Sequence, residues 1–301
     1  MPRPFLAHSG LLLLLAGAAV DSTSGLFTRL LPTDGFTTAS GRGFVAFAFL
    51  LLLLALRERG NTLRSLLGIG VTGLIFVGLN AMGMVMNIVS LSLTSVANFF
   101  MIFATAPFVA ALGAWALLGE RMDRATFLAA IAGFVGIAVM MATGARSGAL
   151  LGDLLAIGCV LTYSALVLVL RHDRGLDILP AITVTVLASG LLALPFADFG
   201  GMTPGDAGIL AVFGIVQLAL GNLLIFSAAS RIPAAQSGLL GILNAAFAPL
   251  WVFVFLGEVP PSSTLIGGAI ILTAAVLHLA WTIANTPRDP ARTGTPVPRS
   301  G

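Results

Sequence analysis

Charge is what this sequence has least of. Only 9% of its 301 residues are Asp, Glu, Lys or Arg, where a soluble domain carries about a quarter. Lysine is absent, and all fifteen basic residues are Arg. With 58% hydrophobic residues and a mean hydropathy of +1.05, too little polar surface exists to cover a water-soluble globule. A bilayer removes that difficulty, because apolar side chains then face outward. The net charge of +3 is spread without a dense basic stripe, which excludes a nucleic-acid binder despite the pI of 10.4. The single cysteine, Cys159, rules out an intramolecular disulfide or a thiolate cluster; in its apolar run it is a small packing residue. His8, His172 and His278 lack metal-ligand spacing, and no His-Glu-x-x-His, Gly-x-Ser-x-Gly, P-loop or paired intramembrane Asp occurs. No enzyme, metal or cofactor is therefore expected, and no charged ring or filter suggests a channel.

What the chain has is apolar runs of membrane-crossing length, about 20 residues each. Residues 65–119 contain no charged residue or His, enough for two spans. Ten spans are predicted, at 8–31, 36–56, 66–89, 94–117, 125–144, 150–170, 178–198, 207–230, 234–256 and 263–284. The fold class is thus an all-α membrane protein. Arg3, Leu11–Leu15 and Ala16-Gly17-Ala18 resemble a secretory signal, but apolar character runs on to Leu31, so a retained first span is expected. With ten spans, twelve Arg lie on the side of both termini and three (Arg29, Arg42, Arg146) on the other. The positive-inside rule then places both termini in the cytoplasm. The Pro- and Arg-rich tail, 286–301, is expected to be disordered.

The chain also repeats itself. A shift of 138 residues lays Gly119-Glu120 on Gly257-Glu258, each followed by an apolar run with a glycine pair (Gly133 and Gly136; Gly267 and Gly268). A shift near 142 lays Gly10 on Gly152 and Arg29 on Arg171. Five spans per half is an odd number, so the second half, 147–285, enters the membrane inverted relative to the first, 1–146. Inverted repeats are an architecture of secondary transporters that work by alternating access about a midplane site.

Residues 148–171, with Gly152-Asp153, Tyr163-Ser164-Ala165 and Arg171, together with the Pro107…Gly119-Glu120-Arg121 spacing, resemble the drug/metabolite transporter superfamily, in its ten-span branch of two EamA-type repeats. The resemblance covers 8–284. It implies a multi-pass permease of the cell membrane, with aromatic or neutral amino-acid exporters the nearest match. The chain departs from the pattern at Val20-Asp21, where the family has an aromatic, and at Ala245, where the repeat expects Pro.

Polar residues inside a membrane are candidates for function. Asp21 lies mid-span, where a carboxylate costs about 2.5–3.5 kcal/mol on insertion scales, and shares a helix face with Ser24 and Thr28. It binds a substrate ammonium, carries a coupling proton, or is a structural group capped by Ser22 or Thr23. Further candidates are Asn80 and Met84 (span 3), Asn98 (span 4), Tyr163 (span 6), Gln217 (span 8) and Asn244 with Ser237 (span 9). For each amide the alternative is an interhelical hydrogen bond worth about 0.6 kcal/mol. Trp115, Trp251 and Trp281 are expected in an interfacial belt. Glu120 and Glu258 are expected to cap helix N-termini. No Arg is expected deep in a span, which disfavours phosphorylated substrates. A lone carboxylate with amide donors favours amino-acid export; the alternative is proton-coupled export of lipophilic cations through Asp21. Neither reading requires an oligomer.

Overall fold

A computed structural model describes residues 4–120, 122–147, 149–172, 176–229 and 239–285. Arg3, Arg121, Ser237 and the 286–301 tail lie outside them. All regular structure among the described residues is helical. In chain order the helices are α1 (Pro4–Asp21), α2 (Ser24–Leu30), α3 (Gly35–Glu58), α4 (Thr62–Leu67), α5 (Gly70–Leu93), α6 (Val96–Phe103), α7 (Ala106–Leu118), α8 (Arg124–Ser147), α9 (Leu150–His172), α10 (Ile178–Ala193), α11 (Pro204–Val212), α12 (Gly221–Ala229), α13 (Leu239–Leu256) and α14 (Ser262–Asn285). A π-helical stretch, Phe213–Leu220, joins α11 to α12.

Among the described residues, eight helical segments are long and apolar enough to cross a membrane, counting α6–α7 and α11–α12 as one each. Two of the ten expected spans, the first and the ninth, are not among these eight. The first residues of the ninth lie outside the described ones, and its described part is the apolar helix Leu240–Leu256; the first is divided between α1 and α2.

Polar side chains set where the helices start. The Asp34 carboxylate accepts the amides of Phe36 and Thr37 at 2.8 and 3.0 Å and fixes the start of α3. Burial pushes that carboxyl up, and the bonds from Thr37 and Phe36 outweigh it, so it sits below the usual carboxylate range. Ser95 caps α6 through the Asn98 amide, at 3.1 Å. Thr203 and Asp206 close a reciprocal capping box on α11.

The internal repeat is visible in the backbone. Gly119 and Gly257 both take left-handed conformations, with φ of 67° and 69°. In both, the following Glu amide donates six residues back, Glu120 to Ala114 and Glu258 to Val252, each at 3.3 Å. The two caps lie at opposite ends of the bundle: Glu258 reaches Val96 at the start of the α6–α7 segment, and Gly119 terminates that same segment.

Packing follows the same symmetry. α5 lies along α9 as α12 lies along α1, and α10 contacts α5 as α3 contacts the π-helical stretch. The last helices of the two halves, α8 and α14, pack on each other through the repeated glycines. A methyl added at Gly267 would come within 2.5 Å of the Gly136 carbonyl, and one at Gly136 within 2.7 Å of the Gly267 carbonyl. Only glycine permits that approach.

Candidate functional site

The first expected span breaks at its carboxylate. α1 ends on Asp21, and α2 begins three residues later. Such a break is costly in a membrane unless the freed carbonyls find donors. They do. The Ala18 carbonyl accepts the Ser22 amide at 2.9 Å, Ala19 accepts the Ser22 hydroxyl at 2.9 Å, and Val20 accepts the Thr23 hydroxyl at 2.5 Å. The Trp251 indole donates to the Ser22 Oγ at 2.9 Å. Trp251 thus faces inward, correcting its placement in an interfacial belt; Trp115 and Trp281 are the exposed ones.

Ser22 and Thr23 therefore bond to carbonyls, and the Asp21 carboxylate has other partners. Gln217 Nε2 donates to its Oδ1 at 3.0 Å, and Asn244 Nδ2 donates to its Oδ2 at 2.7 Å. Three expected site residues from three separated segments thus share one carboxylate. The other amide atom of Gln217, Oε1, accepts from Arg42 Nη1 at 3.1 Å, and Arg42 Nη2 donates to the Met84 carbonyl at 3.1 Å. The guanidinium also lies over the Phe213 ring, 5.0 Å from its centroid.

Arg42 is the chief correction to the sequence reading, which put it at the membrane face. Because Asp34 caps α3 at Gly35, Arg42 lies seven residues into the helix, about 10 Å along it. It is 3% exposed. The exclusion of phosphorylated substrates for want of a deep Arg does not stand. The signal was available: a predicted span starting at 36 contains residue 42.

The remaining candidates divide. The repeat shift of 142 places Tyr163 at the position equivalent to Asp21 (163 − 21 = 142). Tyr163 also contacts Phe103, at 5.2 Å between centroids, in a chain continuing to Phe99 at 5.9 Å. Asn80 lies one helical turn from Met84, and its buried Nδ2 has no hydrogen-bond partner among the described residues. Ser24 is buried but enters the described hydrogen bonds only through its carbonyl, which accepts the Thr28 hydroxyl at 2.8 Å. Asn98 belongs elsewhere: its Nδ2 donates to Asp153 Oδ1 at 3.1 Å, and its Oδ1 accepts from Thr264. Thr94 adds 2.6 Å to the same carboxylate. Asp153, fully buried, was read only as part of a repeat motif.

A family model described as the EamA-like transporter family matches the chain twice, over residues 8–142 and 150–280. The chain belongs to the EamA-like transporter family. Membership makes it a multi-pass membrane transporter of small solutes, and the double match coincides with the two equivalent glycine caps. A solved structure described only as "Crystal structure of protein" aligns with 92% of this EamA-like chain and 99% of its own, with a TM-score of 0.66 at 19% identity. That likeness shows the fold. No curated protein matches the chain.

As an EamA-like transporter, the chain holds two opposite buried charges, Asp21 and Arg42, at one site, apart from the Asp153 cluster. One anion and one cation face each other across an amide. The buried Asn244 Oδ1 beside them has no hydrogen-bond partner among the described residues. An unmet buried acceptor costs about 1–3 kcal/mol, which a ligand bearing N–H donors would relieve.

Proposed function

We propose that this protein is a secondary transporter that exports zwitterionic metabolites, neutral or aromatic amino acids, by alternating access of two inverted halves, 1–146 and 147–285. The observation that carries this reading is the paired charge of Asp21 and Arg42, bridged by Gln217. A lipophilic cation needs the carboxylate but is repelled by a guanidinium nearby. A phosphorylated sugar needs the guanidinium but is repelled by the carboxylate. A zwitterion satisfies both, so it stays the favoured class over the lipophilic cation. Its ammonium meets Asp21 and the unpartnered Asn244 Oδ1; its carboxylate meets Arg42 and the unpartnered Asn80 Nδ2. The Phe99–Phe103–Tyr163 row offers aromatic surface for the side chain. Ten spans with both termini cytoplasmic and a plasma- or inner-membrane location complete the proposal.

Counterflow in proteoliposomes tests it. Preloaded unlabelled neutral amino acid should drive saturable uptake of the labelled one, and Asp21→Asn should abolish that exchange while the purified variant keeps its helical content. Exchange of lipophilic cations or sugar phosphates without amino-acid exchange would defeat the substrate assignment. Unchanged exchange in Asp21→Asn would remove Asp21 from the site.

A further inference from the structure

Resting on that transport reading, we infer that Gln217 is a specificity-setting gate residue: its carboxamide occupies the place of the substrate's charged ends and must withdraw for a zwitterion to bind. The polarity of the contacts carries the inference. The amide turns its oxygen to Arg42 Nη1, at 3.1 Å, and its nitrogen to Asp21 Oδ1, at 3.0 Å. An α-amino acid bound between the same two residues would turn its carboxylate to Arg42 and its ammonium to Asp21, the same order in the same gap. Gln217 is 3% exposed, so the side chain and a substrate exclude each other.

The backbone supplies the means of withdrawal. Gln217 lies in the π-helical stretch Phe213–Leu220, between α-helical Pro204–Val212 and Gly221–Ala229. π-Helical segments are rare and mark functional positions within α-helices. A return to i→i+4 bonding turns the chain beyond by about one residue, roughly 100°, and carries Gln217 out of the gap. The same stretch contains Phe213, which lies under Arg42 and stacks on Phe27 at 5.0 Å. Withdrawal of the amide is thus coupled to release of the guanidinium.

Two variants test this. Gln217→Ala empties the gap; Gln217→Met keeps the bulk and removes both hydrogen bonds. If nine-tenths of molecules hold the amide in place, apparent affinity is lowered by that occupancy, so Gln217→Ala should tighten binding of the exchanged amino acid on the order of tenfold. Gln217→Met should give a smaller gain. Decarboxylated amines, which do not engage Arg42, should gain less than the parent amino acids. Weaker or unchanged amino-acid binding in both variants overturns the gate and makes Gln217 a direct ligand or a structural group. A second readout needs no substrate. Labelling of Asp21 by a membrane-permeant carbodiimide, mapped by mass spectrometry, should be faster in both variants than in the unaltered protein; equal labelling overturns the gate. Failure of the amino-acid assignment instead appears as absent exchange in the unaltered protein with the labelling difference intact.

Discussion

The charges of Asp21 and Arg42 communicate through a single amide. Gln217 links them with two hydrogen bonds near 3 Å, and its orientation follows from chemistry, since oxygen must face the cation and nitrogen the anion. Charge-assisted bonds of this kind are about twice as strong as neutral ones, and groups joined in one network show coupling of 0.5–3 kcal/mol. A double-mutant cycle of Asp21→Asn and Arg42→Met, read by thermal unfolding in detergent, should therefore be non-additive by about 1 kcal/mol or more, with the double variant more stable than the sum of the singles. Additive losses would show that the two charges are energetically independent. A second residue-scale expectation concerns Asn244, whose Nδ2 holds Asp21 at 2.7 Å. Asn244→Leu removes a bond to a charged group worth about 1.5–3 kcal/mol, so it should lower exchange strongly and stability measurably. Loss of stability with full exchange would confine Asn244 to a structural role.

At the scale of the element, the helix pair α8 and α14 depends on glycine far more than its apolar sequence suggests. Gly267→Ala places a methyl 2.5 Å from both the Gly136 carbonyl and Met140 Cγ, and the backbone carbonyl cannot yield. Overpacking of this order costs typically about 1–3 kcal/mol. Gly78, by contrast, has nothing within 4 Å of an added methyl, and in a helix interior Ala is favoured over Gly by about 0.8–1.0 kcal/mol. Gly267→Ala should lower the melting temperature and Gly78→Ala should leave it unchanged or raise it; a reversed order would contradict the close α8–α14 contact. These glycines were legible in the sequence as a repeated pair, and the helical class followed from composition alone. Other features were not legible, for physical reasons. The break after Asp21 depends on hydroxyls of Ser22 and Thr23 bonding backward, an option open to any Ser or Thr in a helix. The π-helical register around Gln217 leaves no mark in residue type. Asp153 and Asn98 look like independent polar residues until tertiary packing joins them at 3.1 Å. Arg42 was legible as a residue inside the second predicted span; what residue type did not show is the amide and ring that hold its charge there, Gln217 and Phe213.

For the whole molecule, the two halves are tied at both ends by ion pairs, and the ties are unequal. At one end Arg29 holds Glu258 at 2.9 Å while also donating to the carbonyls of Leu91 and Thr94, at 2.9 and 2.8 Å. At the other, Arg57 forms a two-pronged pair with Asp177 at 3.1 and 2.7 Å, and both side chains are about half exposed, 50% and 49%. An exposed pair contributes about 0–1 kcal/mol. The Arg29 pair is shielded, with side-chain exposures of 27% and 26%, and it joins the end of α2 to three other segments. Opening the Glu258 end must break the shielded Arg29–Glu258 pair, whose guanidinium is held in place within the first half by the Leu91 and Thr94 carbonyls, whereas opening the Asp177 end breaks little. The resting protein should therefore be closed at the Glu258 end, and Glu258→Gln should shift the population toward opening there. Cysteines introduced at Ser92 and at Ser65, on opposite ends of α5 and its lead-in, report the two faces to an impermeant maleimide. Glu258→Gln should raise labelling at Ser92 several-fold, and Asp177→Asn should change labelling at Ser65 by less than that. Equal responses to the two substitutions would mean that neither tie sets the resting state, and that the closed end is held by apolar packing alone.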